Sequence, residues 1–449
     1  MSPGIYHYSD LENVYDTPER AGRLAGLLAG RDPDAITAGT GDNTAPGVLS
    51  LVTDGEQAMD LYSAVDPDVA TFGNHDFDYG PSRTAAVVAD SPQTWVSANV
   101  YHDGDRVAGV EPWTLVERDG TTLGFFGVLD ADTPALNPMA SDLTVTDPIQ
   151  AATDAEAALR DAGAEYVIAL SHLGRGDDEL AAATTVDAVL GGHIASERVE
   201  RLDGTLLTRP GAGGDVVFEI DIAADTVTRH QVDNAPRHDG VTAALRDRLA
   251  DAGLDAVVGH VTPPMERTER TLFEGESRIG NFVADAYRWA ADADVGLQNA
   301  GGVRDGPALA GDVTVADLVS VVPFAEPVSV AELTGRELLD VFRAGNGSGG
   351  LGFAEPDWWH AHVSGATLEW RDGDGLVSAS VGGDPVDPDA TYTLATTDYL
   401  FYSDDEFPAL DAGHRIDQLD TQHEVLASYA RQEGINPETE GRIRFHADD

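Results

Sequence analysis

A layered α/β fold in two domains is what the sequence predicts, from three features. Short apolar runs of β character alternate with Ala-rich segments of helical period through the first half. The chain has 449 residues, 42% of them hydrophobic, enough for packed cores and too long for one ordinary core. Near residue 236 the pattern passes through a helical stretch into a second series, which closes in Thr-, Val- and Tyr-rich strands. The expected division is a first domain at residues 1–235, a helical linker at 236–259 and a second α/β domain at 260–449.

In order, "IYHY" reads as the first strand. "PERAGRLAGLLAG" reads as a helix with apolar residues near 3.6 spacing, and "AITA" and "DVATF" as buried strands. "TLVER" and "TLGFFGV" flank an Asp-Gly pair, a hairpin signal. "DPIQAATDAEAALRDAG" reads as a helix, "YVIAL" and "VDAVL" as buried strands, and "DVVFEIDI" as a closing strand. "VTAALRDRLADAG" is the helical connector, and the prolines of "TPPMERTE" keep that segment extended. The second domain opens with the helix "IGNFVADAYRWAADAD" and the strand "VGLQNAGG", and "GNGSGGLG" (345–352) reads as a flexible loop.

The charge narrows the setting. There are 27 basic residues, all Arg, against 79 acidic ones, for a net charge of −52 spread along the whole chain. Such self-repulsion destabilises a compact state in ordinary buffer. At molar salt the Debye length falls to about 3 Å and the repulsion largely vanishes. We read the acidity as adaptation to the salty cytoplasm of a halophile, and it argues against nucleic-acid binding. No apolar run reaches bilayer length, and "MSPGIYHYSD" lacks the basic start and apolar core of a signal segment, so a cytoplasmic protein without a membrane partner is expected. The absence of Cys excludes disulfides and thiolate chemistry, so any metal must be held by nitrogen and oxygen.

Five strand-like runs end in residues able to bind a metal. Asp10 and Glu12 follow "IYHYS", and Asp42 follows "AITAGTG". Asn74, His75, Asp76 and Asp78 lie in "GNHDFDYG", His172 follows "YVIALS", and His193 follows "VDAVLGG". A lone Asp or His at a turn is usually structural. Five in one domain, at the carboxyl ends of strands where α/β sheets bind ligands, point to a metal site.

"SDLE", "GDN", "GNHDFDYG", "SHLG" and "GGH" occur in the order and spacing that resembles the calcineurin-like metallophosphoesterases. "GNFVADA", "LQNAGGVR", "GDVTVADLVSVVPF", "ELTGRELL" and "TYTLATTDYLFYSDDEF" resemble the C-terminal domain of the 5′-nucleotidase family. The resemblance covers nearly the whole chain. It implies a metallophosphoesterase sandwich domain followed by a substrate-binding domain. It also implies two divalent ions, Mn first, with Zn, Co or Mg as alternatives. By motif position Asp42 bridges the ions, Asn74, His172 and His193 complete one site, and Asp10 serves the other. His75 then sits over the phosphoryl group, and Asp78 holds its tautomer. Asp76 reads as a turn cap, and His7 as a half-buried strand residue or a group behind the ligands. In the second domain Phe324 and Tyr399 match the aromatic residues that sandwich a base, and Asp405 matches a ribose-binding Asp. Asn299 matches a base- or substrate-contacting Asn and Arg304 a phosphate-binding Arg.

Three departures from the family pattern stand out. Glu12 replaces a His, Ala195 stands where a second His or Gln is usual, and Gly275 replaces an Arg, for which Arg278 lies close by. Residues two apart on an extended chain point to one side, so Asp10 and Glu12 are expected to serve the same ion, which becomes richer in oxygen. The implied activity is release of phosphate from nucleoside 5′-monophosphates or related nucleotides, by attack of a metal-bridging hydroxide on phosphorus. The alternative is a non-catalytic or single-metal nucleotide-binding protein. The pair His75–Asp78 favours the enzyme, since a binder has no use for it.

Overall fold

In the computed structural model, which describes residues 3–324, 326–346, 359–371, 375–403 and 406–446, the strand Ile5–Tyr8 lies inside a six-stranded sheet. It pairs in parallel with Ile36–Thr40, which pairs in parallel with Val69–Thr71; on its other side Val216–Asp221 is antiparallel. A second six-stranded sheet is built around Tyr166–His172, parallel to both Thr121–Leu129 and Ala188–Gly191. The inner faces of the two sheets share one core, with Ile5, Ile36 and Val69 from the first and Phe125, Ile168 and Leu190 from the second. Helices cover the outer faces; Pro148–Asp161 packs on Thr121–Leu129, with Asp147 accepting from the amides of Ile149 and Gln150 as its cap. Strands buried on both faces read as unbroken apolar runs, which is why "YVIAL" was legible.

Turn chemistry follows the sequence closely. Trp113–Arg118 and Thr121–Leu129 form the expected hairpin, with Arg118 opposite Thr121. Asp119 (φ 48°) and Gly120 (φ 75°) give it the twist of a type I′ turn. Asp also fills left-handed positions at Asp54, Asp66, Asp103, Asp203, Asp225 and Asp292, with φ between 47° and 57°. Its short polar side chain tolerates that conformation, so part of the acidity serves turns.

The helix expected as a connector, Asp239–Asp251, packs on Pro18–Ala29. The His238 amide donates to Gly22 O at 2.7 Å, and a Cβ on Gly22 would lie 2.0 Å from Thr242 Oγ1. This helix therefore belongs to the first of two compact units, Met1–Ala252, and the second unit is Gly253–Asp449. "TPPMERTE" is extended as expected, within the strand Val257–Arg267, which pairs antiparallel with Gly306–Thr314. The second unit is organised on a five-stranded sheet in the order Ala361–Ser364, Val295–Asn299, Thr391–Thr397, Pro327–Thr334, Arg415–Thr421. Arg278–Ala291, capped by Ser277, packs against Val295–Asn299. Residues 347–352 of the expected glycine loop lie outside the described residues. Among the described residues no helix is long and apolar enough to cross a membrane.

With 27 Arg for 79 carboxylates, at least 52 carboxylates cannot have an arginine of their own. Exposed pairs such as Arg229–Glu197 contribute little each. The melting temperature is therefore expected to rise by on the order of 10 °C or more between about 0.1 M and about 3 M KCl. A flat profile in scanning calorimetry would show that surface repulsion does not limit stability.

Candidate metal centre

The carboxyl ends of Ile5–Tyr8, Ile36–Thr40, Val69–Thr71, Tyr166–His172 and Ala188–Gly191 carry the acidic and imidazole groups singled out in the sequence. Two of the loops pack backbone to backbone. A Cβ on Gly73 would lie 2.2 Å from Asp42 Oδ1, and one on Gly41 would lie 2.5 Å from both Gly73 N and His172 Nδ1. Only glycine permits that approach. Asp76 is no simple turn cap. Its buried carboxylate accepts the amides of Gly73 (2.8 Å), Asp42 (2.9 Å), Asn43 (3.2 Å) and Thr44 (3.1 Å), and the Thr44 hydroxyl (2.7 Å).

Two donor sets result, and they share one residue. Asp42, His172 and His193 offer ligand atoms within 4.8 Å of one another, and so do Asp10, Glu12 and Asp42. Asn74 joins the first set, with Oδ1 at 2.9 Å from His193 Nδ1. His172 Nδ1 donates to Thr40 O at 2.7 Å, which turns Nε2 to Asp42 Oδ2 at 3.0 Å. The buried Asp10 accepts from Ser9 Oγ (2.5 Å) and from the His193 amide (3.0 Å). Asp10 (φ 48°), Glu12 (φ 45°), Asp42 (φ 51°) and His193 (φ 71°) all sit in the left-handed region. Such strain in non-glycine residues persists where surrounding structure over-determines it, and it gathers at functional sites.

Glu12 meets Asp10 by a different route from the one its spacing suggested. The chain is a turn there, not an extended strand: Glu12 has positive φ, its amide donates to Asp42 O at 3.1 Å, and it starts a 3-10 turn, Glu12–Asp16. The two positive φ angles bring the carboxylates together.

The electrostatics are those of crowded acid. Burial, then the charges of Asp42 and Asp10, push Glu12 up to about 7. Burial likewise raises Asp10 to about 6, although His172 opposes it. His75 is half exposed, and its Nδ1 meets both oxygens of Asp78, at 2.9 and 3.1 Å. Burial works against its proton, but the Asp78 hydrogen bond and the charges of Asp42, Asp78 and Glu12 raise it to about 9. Asn137, which nothing in the sequence marked, donates from Nδ2 to Asp78 Oδ1 (3.0 Å) and Asn74 O (2.8 Å). It lies 59 residues from Asp78, and no local pattern links them. His7 is fully buried, not half-buried: its Nε2 meets the Thr40 hydroxyl at 2.9 Å, behind the carbonyl that holds His172.

In the second unit the Arg304 guanidinium lies 5.0 Å above the ring of half-buried Phe324, and Tyr399 is 43% exposed. Asn299 is buried, and its Nδ2 donates to Glu406 at 2.7 Å. Arg278 donates from Nε to Pro437 O and from Nη1 to the carbonyls of Pro263 and Pro264. Asp405 lies outside the described residues.

Residues 4–197 match the family described as calcineurin-like phosphoesterase, and residues 257–412 match the 5′-nucleotidase C-terminal domain. The chain is 24% identical to the trifunctional nucleotide phosphoesterase YfkN of Bacillus subtilis over 84% of its own length, but spans only 30% of that protein. It is 26% identical to the apyrase of Tabanus yao, covering 84% of this chain and 78% of the apyrase. Among solved structures, a 5′-nucleotidase precursor from Thermus thermophilus superposes with a TM-score of 0.73 at 21% identity, over 99% of each chain. The sulfate thiohydrolase SoxB from Thermus thermophilus gives 0.70 at 19%, over 99% of this chain and 96% of that one, so the fold alone does not choose the substrate. The chain thus carries a match to the calcineurin-like phosphoesterase family followed by a match to the 5′-nucleotidase C-terminal domain.

Proposed function

We propose that this chain releases phosphate from nucleoside 5′-monophosphates or related nucleotides at two divalent cations held by the first unit. The observation that carries the reading is Asp42, which belongs to both donor sets. A carboxylate with two oxygens can bridge ions about 3.5–4 Å apart. When bound, the ions supply Lewis acidity and activate a water as the nucleophile.

The rest is positioning by the protein's own groups. Asp10, Glu12 and Asp42 make one donor set all oxygen, which suits Mn²⁺ or Mg²⁺, while Asn74, His172 and His193 give the other the imidazoles that Mn²⁺, Co²⁺ and Zn²⁺ also accept. Mn²⁺ serves both. His75 keeps a proton at neutral pH and donates it to charge developing on the phosphoryl group, with Asp78 and Asn137 fixing its ring. Tyr399 and the Arg304–Phe324 pair offer an aromatic face and a cation to the rest of a nucleotide. The acidic, lysine-free composition supports a salty cytoplasm as the setting. A panel of nucleoside monophosphates, cyclic nucleotides and nucleotide sugars, assayed for phosphate in molar salt with each metal, tests the reading; no phosphate from any of them would leave a nucleotide-binding protein instead.

Replacing His75 with Ala is expected to lower turnover by about 10²–10³-fold while both Mn²⁺ ions stay bound. Metal analysis of the purified variant checks this, and loss of an ion would make His75 a ligand. Replacing Glu12 with Gln should weaken one of the two Mn²⁺ ions by about tenfold or more, followed by electron paramagnetic resonance titration. Two equally tight ions in both proteins would remove Glu12 from the ligand set.

Metal binding should also depend on pH. Glu12 at about 7 and Asp10 at about 6 hold protons that a cation must displace, so affinity is full only well above the Glu12 value and falls as pH drops through about 7 and then about 6. Calorimetric titration in buffers of different ionisation enthalpy measures the protons released. No proton release between pH 6 and 7 would contradict the raised carboxyls.

A further inference from the structure

A closed polar network lies at the end of the strand Val295–Asn299 in the second unit. Asn299 Nδ2 donates to Glu406 Oε2 at 2.7 Å, and His360 Nε2 meets the same oxygen at 2.6 Å. Gln298 Nε2 donates to Asn299 Oδ1 at 2.7 Å, so both ends of the Asn299 carboxamide are occupied from within the protein. The His360 ring stacks between Phe273 and Phe407, with centroids 6.2 and 5.9 Å away and planes within 16° and 20°. Asn299, Glu406 and His360 are all buried, at 3%, 7% and 2% exposure. The Tyr399 phenol, on an otherwise exposed side chain, is pushed up by burial and by the charge of the same Glu406 carboxylate.

This arrangement changes what each group can do. A buried carboxamide bonded once at each end is fixed in orientation, and it keeps one N–H and one oxygen lone pair beyond those two bonds. Glu406 joins the two residues of this unit, Asn299 and Tyr399, that the sequence marked for contact with a nucleotide base. A buried carboxylate at that point needs donors around it, and the His360 imidazole and the Asn299 amide supply them. The stack of Phe273 and Phe407 holds the His360 ring that meets the carboxylate.

We propose that Glu406, anchored by His360, is the positioning residue of the base subsite: it sets the Asn299 carboxamide and the Tyr399 ring in place for a nucleotide base. The proposal rests on the nucleotide reading above. It makes Asn299 part of the subsite floor and leaves the Tyr399 ring as the face on which a base stacks.

The test compares the full chain with Glu406→Ala, Asn299→Ala and the double variant, in molar salt with Mn²⁺. Substrates are a nucleoside monophosphate and p-nitrophenyl phosphate, which has no base. Glu406→Ala is expected to raise the nucleotide KM by about tenfold, with p-nitrophenyl phosphate kcat/KM within about twofold of wild type. The double variant should be no worse than the weaker single variant, because the two residues act as one unit. Tyr399→Phe removes a single phenol oxygen, stays informative if Glu406→Ala does not fold, and should raise the same KM by about threefold. An unchanged nucleotide KM in either variant overturns the proposal, and so does an equal loss on both substrates in Glu406→Ala. A wild-type protein that hydrolyses p-nitrophenyl phosphate but neither binds nor hydrolyses any nucleotide overturns the nucleotide reading itself, and the subsite with it.

Discussion

The Asp76 carboxylate gathers four main-chain amides and one hydroxyl from two loops that follow different strands. Each amide is buried, and without Asp76 each would lack an acceptor at a cost of about 1–3 kcal/mol. That shared acceptor welds the loop after Ile36–Thr40 to the loop after Val69–Thr71. The weld fixes Asp42 with φ 51°, and from there its Oδ1 accepts the His75 amide while Oδ2 faces His172. The position of the one residue common to both donor sets thus depends on a neighbour that touches neither histidine. Asp76 itself is pushed up to about 6, by burial and then by the charge of Asp42, so its five donors only partly offset the desolvation.

The same economy runs behind the histidines. Thr40 O accepts from His172, and the Thr40 hydroxyl meets His7, which spans to the Thr208 hydroxyl at 3.0 Å in the opposite sheet. Thr40 and Thr208 therefore tie the two layers of the sandwich directly beneath the imidazole. A ligand held this way has one free nitrogen and one orientation, the condition for binding an ion without a further ordering cost. The sandwich core supplies rigidity, and the strand ends supply chemistry.

Much of this was legible in the sequence, for physical reasons that differ by level. Strands buried on both faces announce themselves as apolar runs, and the Asp119–Gly120 turn by its dipeptide. The groups of the site were visible because five strand ends carried the same chemistry. What escaped was the long-range wiring. Asp76 looked like a turn residue because local sequence cannot show that its acceptors serve a loop more than 30 positions away. Asn137 had no signal at all. Glu12 was placed beside Asp10 for the wrong reason: spacing assumed an extended chain, and two left-handed residues did the work instead. The connector helix was legible as a helix, but the close approach at Gly22 that fixes it to the first unit was not.

The acidity and the candidate metal centre pose one problem together. A chain with 79 carboxylates offers a divalent ion many places to linger, and a specific site must differ from all of them. Burial makes the difference. Surface carboxylates such as Asp103 and Asp225, carried on left-handed turns, meet salt and water, and at molar ionic strength their field dies within about 3 Å. Asp10 and Asp42 are 2% exposed and Glu12 is half-buried, so counter-ions screen them far less. Salt that quiets the surface therefore acts less on the buried cluster. The imidazoles of His172 and His193 add donors that the acidic surface seldom brings together with a buried carboxylate. The acidic composition and a buried cation site are compatible for that reason: salt at molar strength would weaken the competition from the surface carboxylates.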